Sequence, residues 1–276
     1  MSVFYSPLRY PGGKQKIFGS VKKLIQDNQL ENGVYVEPFA GGAGLALSLL
    51  FEGIMRRIIL NDIDRSIFSF WHSVLYETDA LCNMVMEVSV SIEEWERQKQ
   101  IQKEKDTATL LELGFSTFFM NRTNRSGVIN GGIIGGKDQT GNYKINCRFN
   151  KKNLIERIRR ISEKKDKIKI FNLGAKDFIR EINNGLPKKT LIYLDPPYYK
   201  KGPNLYLNHY THEDHEKLEN FIRKFSKRKM IITYDNVEEI KNLYSNYSQK
   251  KYFLNYNLQE KKEASEVMIF KNVNPQ

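Results

Sequence analysis

The residues Asp195-Pro196-Pro197-Tyr198 stand directly after the apolar run Leu191-Ile192-Tyr193-Leu194. Reactive groups of α/β proteins gather at the carboxyl ends of buried strands, so an acid at this point is a candidate for chemistry. A carboxylate and a backbone carbonyl can each accept one N–H of an amine whose lone pair is delocalised into a ring, as on a nucleobase. Pulling on both N–H bonds draws the nitrogen toward a tetrahedral geometry and frees its lone pair. The two prolines hold φ at about −65° and remove donors, which lets the Pro196 carbonyl point at a substrate. The ring of Tyr198 can then stack on a flat base. A plain strand-ending turn would need the prolines but not the acid and the ring.

Other segments carry polar groups at matching places. Glu37-Pro38-Phe39-Ala40-Gly41-Gly42-Ala43-Gly44 follows the apolar run Val34-Tyr35-Val36. Glycines there let a ligand approach the backbone. Asp62 ends the next apolar run, about 20 residues on, where an acid can accept hydrogen bonds from ribose hydroxyls. Asp64 reads equally well as a helix N-cap. Tyr10-Pro11-Gly12-Gly13-Lys14 looks like a phosphate loop but lacks the full pattern, with Gln15 after the lysine. Asp177-Phe178 opens a helical stretch after another strand. Asn121-Arg122-Thr123-Asn124-Arg125-Ser126-Gly127 offers side chains suited to base edges and to phosphates.

The pattern of apolar residues supplies elements to hold these groups. Helical spacing covers 16–30, 45–52, 151–162, 175–184, 212–226 and 237–244. Strand-like runs lie at 34–36, 57–60, 168–171, 190–194, 229–234, 252–256 and 267–270. Residues 64–120 read as helical throughout, and 121–150 as loops or hairpins. A strand, glycine turn, helix, strand and acid, in that order, form the first half of a nucleotide-binding βαβ unit.

Together these motifs resemble a Dam-type (D12 class, alpha group) DNA adenine-N6 methyltransferase, over nearly the whole chain from Tyr10 to about Phe270. The resemblance implies a Rossmann-like class I methyltransferase sheet, mostly parallel and seven-stranded, with an inserted, mostly helical target-recognition domain. The catalytic domain would comprise 1–66 and 166–276, and the insertion 67–165. S-adenosyl-L-methionine is the implied cofactor, held by Tyr10, Lys14, Glu37, Phe39, Ala40, Gly41, Gly42, Asp62, Asp177, Phe178 and Asp195. Asp195, Pro196, Pro197 and Tyr198 would be catalytic, acting on an adenine flipped out of the duplex. Phe178 would pack on the cofactor adenine and Asp177 accept from its amino group. Double-stranded DNA is the implied partner, met by Arg122, Asn124, Arg125, Ser126, Lys137, Lys144 and Arg148, and a cognate restriction endonuclease fits the same class. The stretch after Arg122 departs from that of relatives acting on GATC, so the resemblance does not extend to that site. Methylation of RNA adenine or of cytosine N4 shares this chemistry, and an inactive DNA-binding relative is the alternative outside enzymes.

Charge agrees with a polyanionic partner. The 276 residues carry a formal charge of +12, and residues 120–170, with 14 Lys or Arg against 4 acids, hold +10 of it. Arg157, Arg159 and Arg160 in that block are expected to meet phosphates. Two cysteines exclude a disulfide framework and suit a reducing cytoplasm, bacterial, archaeal or phage-infected; no run approaches a membrane span. Two other patterns carry little. Gly131 to Lys137 fits GxxxxGK, but Asp138 replaces the Mg²⁺-binding hydroxyl. His209, His212 and His215 with Asp214 are spaced like metal ligands, yet equally like one solvated helix face, and methyl transfer needs no metal.

Overall fold

The structure, a computed structural model, describes residues 4–9, 14–200, 210–225, 227–254 and 264–275. Tyr10 and His209 lie outside the described residues. Seven strands form one sheet: β1 (Val34–Glu37), β2 (Arg57–Asn61), β3 (Ile168–Phe171), β4 (Thr190–Leu194), β5 (Lys229–Asp235), β6 (Ser248–Leu254) and β7 (Ala264–Lys271). Their order is β3-β2-β1-β4-β5-β7-β6. The first five are parallel, and β7 runs antiparallel between β5 and β6. β1 and β4 are buried along their whole length, which explains their unbroken apolar sequence. β6 begins earlier than its apolar residues suggest. It is an edge strand whose first residues, Ser248 to Lys251, are polar, as suits an edge exposed to water.

The strand order reverses between β1 and β4. Such a switch point opens a crevice above the carboxyl ends of the two strands. Glu37 ends β1 and Asp195 follows β4, so both acids stand at the carboxyl ends of the two strands beside the switch point.

Helices cover both faces. Side chains alternate along each strand, so Leu191 and Tyr193 enter one core while Ile192 and Leu194 enter the other. The first core takes α1 (Phe18–Asp27), α2 (Gly44–Phe51), α3 (Arg65–Tyr76), α6 (Leu110–Thr123) and α7 (Lys151–Ser162). The second takes α8 (Ala175–Asn183), α9 (His212–Lys224) and α10 (Glu238–Leu243).

The chain between β2 and β3 carries the helical excursion α3–α7, which includes α4 (Thr78–Glu87) and α5 (Ile92–Lys103). Asp64 does cap α3, accepting the Ser66 N–H at 3.0 Å. α6 is buried on nearly every side, because α3 and α5 both pack on it. Gly114 lets α3 approach: a Cβ there would stand 2.4 Å from Ser73 Oγ. The excursion is not a detached body. Ile67 and Phe70 of α3 share the first core with Tyr35 and Leu60 of the sheet, and residues 66 and 67 both lie inside α3. Residues 124–150 form turns with a single isolated bridge, Asn124 to Ile133, rather than a regular hairpin. Among the described residues no helix is long and apolar enough to cross a membrane.

Candidate active site and nucleic-acid interface

Asp195 leaves β4 with its carboxylate held from two sides. Lys14 Nζ lies 3.1 Å from Oδ1, and the Thr233 hydroxyl of β5 donates to the same oxygen at 2.8 Å. Thr233 in turn accepts from the buried Tyr193 hydroxyl at 3.1 Å. Burial lifts the Asp195 pKa above the ordinary carboxylate value, with Lys14 opposing. Lys14 opens a short 3₁₀ turn, Lys14–Ile17, and its ammonium also meets Glu266 Oε2 of β7 at 3.0 Å. Burial works against the Lys14 charge, but Asp195 and Glu266 reverse that and hold its pKa well above the usual lysine value.

Tyr198 is in the site but does not present its face. It is 5% exposed, and its hydroxyl donates to Glu266 Oε1 at 2.5 Å. Lys14 donates to the same hydroxyl at 3.1 Å. Asp235, at the end of β5, accepts the backbone N–H groups of Tyr199 at 2.8 Å and Lys200 at 2.9 Å. It thereby fixes the backbone that follows the Asp-Pro-Pro-Tyr segment.

The glycine loop folds against Asp62. Gly41 and Ala43 adopt left-handed backbone angles (φ 45° and 47°), which turns the chain from β1 into α2. The Gly41 N–H then reaches Asp62 Oδ2 at 2.9 Å, and the Asp64 N–H reaches Oδ1 at 3.0 Å. Burial pushes Asp62 up to about 7, with these two bonds opposing. Trp71 Nε1 and Ser6 Oγ tie down the Gly41 and Gly42 carbonyls. Glu37 is buried inside the loop, accepts the Tyr35 hydroxyl at 2.8 Å, and is pushed up to about 8 by burial. Ala40 is buried, and Phe39 packs edge-on against Tyr210.

Asp177 is exposed in the first turn of α8 and pairs with Arg180 at 2.6 Å. Phe178 overturns its expected role. It is 0% exposed and packs in the second core against Phe171, so it has no surface for a cofactor ring. His212 and His215 part company: His212 is exposed beside the Tyr199 hydroxyl, whereas His215 is buried against Tyr234 and pushed down to about 4 by burial.

The residues expected at DNA divide into four groups. Arg125 and Ser126 are exposed on a turn after α6, with Ser126 at φ 57°. Asn124 is structural rather than a base reader: it is 0% exposed, accepts Trp95 Nε1 at 2.7 Å, and donates to the Val128 and Ile129 carbonyls. Lys137 is exposed but engaged by Glu96 at 2.7 Å, and Lys144 donates to the Gln139 carbonyl. Arg122 and Arg148 belong to a cluster that also holds Arg9 and Arg157. Arg122 Nε donates to the Arg148 carbonyl, Arg9 to the Asn124 carbonyl, and Arg157 to the Ser6 carbonyl. Burial, then Arg9, Arg157 and Arg148 in turn, push Arg122 down to about 9. None of the four forms an ion pair among the described residues. The other two arginines of α7 point elsewhere: Arg159 pairs with Asp79 at 2.7 Å, and Arg160 lies over the Tyr5 and Phe51 rings.

Sequence reading missed Thr233, Asp235, Glu266 and Arg9. A signal existed for the first two, which alternate at the carboxyl end of the apolar strand β5. Glu266 sits opposite Asp235 and Tyr252 in the sheet, a register the sequence does not display.

A seven-stranded α/β sheet, an acid at its switch point, and a glycine loop folded on a second acid suit a nucleotide-containing ligand. Residues 10–264 match the D12 class N6 adenine-specific DNA methyltransferase family, and the chain belongs to it. It catalyses S-adenosylmethionine-dependent methylation of adenine in DNA. The Type II methyltransferase M.MjaIII of Methanocaldococcus jannaschii is 23% identical over 239 residues, covering 80% of each chain. Two solved structures are distant likenesses. M. capricolum TrmK, in complex with S-adenosyl-homocysteine, is 10% identical with a TM-score of 0.38, covering 91% of this chain and 68% of that one. The methyltransferase domain of bacterial CtHen1 is 10% identical with a TM-score of 0.39, covering 94% and 98%.

Proposed function

We propose that Asp195, the Pro196 carbonyl and Tyr198 act on an adenine rotated out of duplex DNA. The observation that carries this reading is the Asp195 carboxylate at the β1/β4 switch point, with one oxygen already held by Lys14 and Thr233. Its other oxygen is then oriented to accept one amino N–H of the base, and the Pro196 carbonyl accepts the second. Once the nitrogen has been alkylated its proton is acidic, and the raised pKa of Asp195 suits a transient acceptor. Holding both partners in line supplies much of the rate.

The glycine loop fits the cofactor. Left-handed Gly41 and Ala43 bring bare backbone beside the Asp62 carboxylate, and ribose hydroxyls donating to Asp62 would stabilise a charge that burial disfavours. Asp177 is exposed at α8, where an adenine amino group would share its carboxylate with Arg180. When bound, S-adenosylmethionine supplies an electrophilic methyl group.

The excursion, roughly residues 67–165, carries the DNA-recognition role in this reading. Four clustered arginines with no ion pair among the described residues repel one another, and backbone phosphates would relieve that repulsion. Arg125 and Ser126 remain the exposed candidates for base contact. The Type II name of the Methanocaldococcus jannaschii relative supports pairing with a restriction endonuclease.

The test is label transfer from tritiated S-adenosylmethionine to duplex DNA, wild type against Asp195→Ala. Label on adenine that falls at least a hundredfold in the variant supports the reading, about the effect of removing one well-placed transition-state group. Equal incorporation, or label on cytosine alone, refutes it.

A further inference from the structure

Glu266 has no part in the reading above, yet it touches the residues that do. It lies on β7, is 3% exposed, and among the described residues its two oxygens receive the Tyr198 hydroxyl, Lys14 Nζ and the Tyr252 hydroxyl. The consequence for Tyr198 is mechanical. Asp235 clamps the backbone just after Tyr198, so the segment cannot slide out as a whole. Asp235 and Glu266 are direct partners in the β5–β7 register, so one rung of the sheet grips both the backbone and the ring. Turned inward, with Lys14 Nζ 5.1 Å from its centroid, the ring offers no face to a base. Stacking needs the Tyr198 side chain to rotate about its own bonds and give up its bond to Glu266.

We propose that Glu266 is a positioning residue that holds Tyr198 inward until a base enters, so that Tyr198 closes on an extruded adenine only by breaking this hydrogen bond. The proposal rests on the base-extrusion reading. It assigns Tyr198 two positions, inward on Glu266 and outward on the base, with the carboxylate setting the balance between them. A hydrogen bond to a charged acceptor, removed without disturbing the ring, shifts such a balance about tenfold.

The experiment uses duplex DNA with 2-aminopurine at the target adenine, and time-resolved fluorescence on the full-length protein. Extruded probe that is not stacked emits brightly; probe stacked on Tyr198 is quenched. Tyr198→Phe keeps the ring and removes the hydroxyl, and Glu266→Gln keeps the shape and removes the charge. Both are expected to raise the quenched-to-bright ratio about tenfold. The double variant is expected to match Tyr198→Phe alone, because both changes remove one hydrogen bond. A merely structural role for Glu266 would not produce that coupling. Cofactor binding by calorimetry checks that each variant is folded, and Tyr198→Phe remains informative if Glu266→Gln is not. Ratios equal to wild type, or additive effects in the double variant, overturn the proposal while leaving adenine methylation intact. No bright or quenched probe in a wild type that binds the DNA overturns base extrusion, and this proposal with it.

Discussion

Replacing Thr233 by valine removes the hydroxyl that donates to Asp195 at 2.8 Å and keeps the shape of the side chain. Two effects follow from the geometry. The carboxylate loses one of the two groups that fix its orientation, the other being Lys14 at 3.1 Å. The Tyr193 hydroxyl, which donates to Thr233 at 3.1 Å, loses its acceptor inside the core. A hydrogen bond to a charged group contributes about 1.5–3 kcal/mol, and an orphaned buried donor costs about 1–3 kcal/mol. If the first term is expressed in the transition state, kcat falls about 10- to 100-fold, since about 1.4 kcal/mol is tenfold. The second term appears as a lower unfolding free energy. The direction with pH is also fixed. The Thr233 bond favours the charged form of Asp195, so its removal raises a pKa that burial already lifts. Activity that needs the carboxylate is lost as pH falls through that pKa, so the acid limb of the rate profile moves to higher pH. Single-turnover methyl transfer across pH measures this, with Thr233→Ser expected to restore both rate and limb. A Thr233→Val enzyme within about twofold of wild type, with an unmoved limb, would refute a positioning role for Thr233.

Neutralising Arg9, Arg122 and Arg157 should weaken binding to all DNA sequences and reduce the salt slope by about 0.9 for each phosphate no longer neutralised, read by anisotropy at several salt concentrations. Arg159→Gln should change that slope little, because Arg159 already pairs with Asp79 on the surface. Asn124→Ala should lower stability by about 1–3 kcal/mol in urea unfolding, with Trp95 Nε1 left unpaired, and should leave site preference unchanged. Glu37 is held near 8 in the fold, above its unfolded value, so the folded state binds the extra proton and its stability drops as pH rises from about 5 to about 8. Glu37→Gln should remove that drop, seen as a stability difference from wild type that grows with pH over this interval.

The sheet was legible because strands buried on both faces must be continuously apolar, and the acids at their ends stand out against that background. Asp195, Asp62 and the glycine loop came from this contrast, and each stands just past the carboxyl end of one of the adjacent parallel strands β4, β2 and β1. The surrounding groups were not legible for the same physical reason in reverse. Glu266 reaches Lys14 across 252 positions of sequence, and only an antiparallel register brings it there. Asn124 and Arg122 look alike as polar residues on a loop; burial separates them, one as a core amide with three partners and one as part of a cation cluster. Phe178 was readable after all. With Ile179 and Ile182 it forms the buried stripe of α8, and helical spacing favours core over cofactor contact. The boundary near residue 66 fell inside α3 because that helix packs on the sheet while leading into the excursion.

The most direct test is nucleoside analysis and methylation mapping of DNA from cells expressing wild type or Asp195→Ala. N6-methyladenine at one recurring sequence with wild type, and none above background with Asp195→Ala, is the predicted result. N6-methyladenine at equal levels with both, or N4-methylcytosine in its place, would contradict the assignment of adenine N6 methylation to the acid at the β1/β4 switch point.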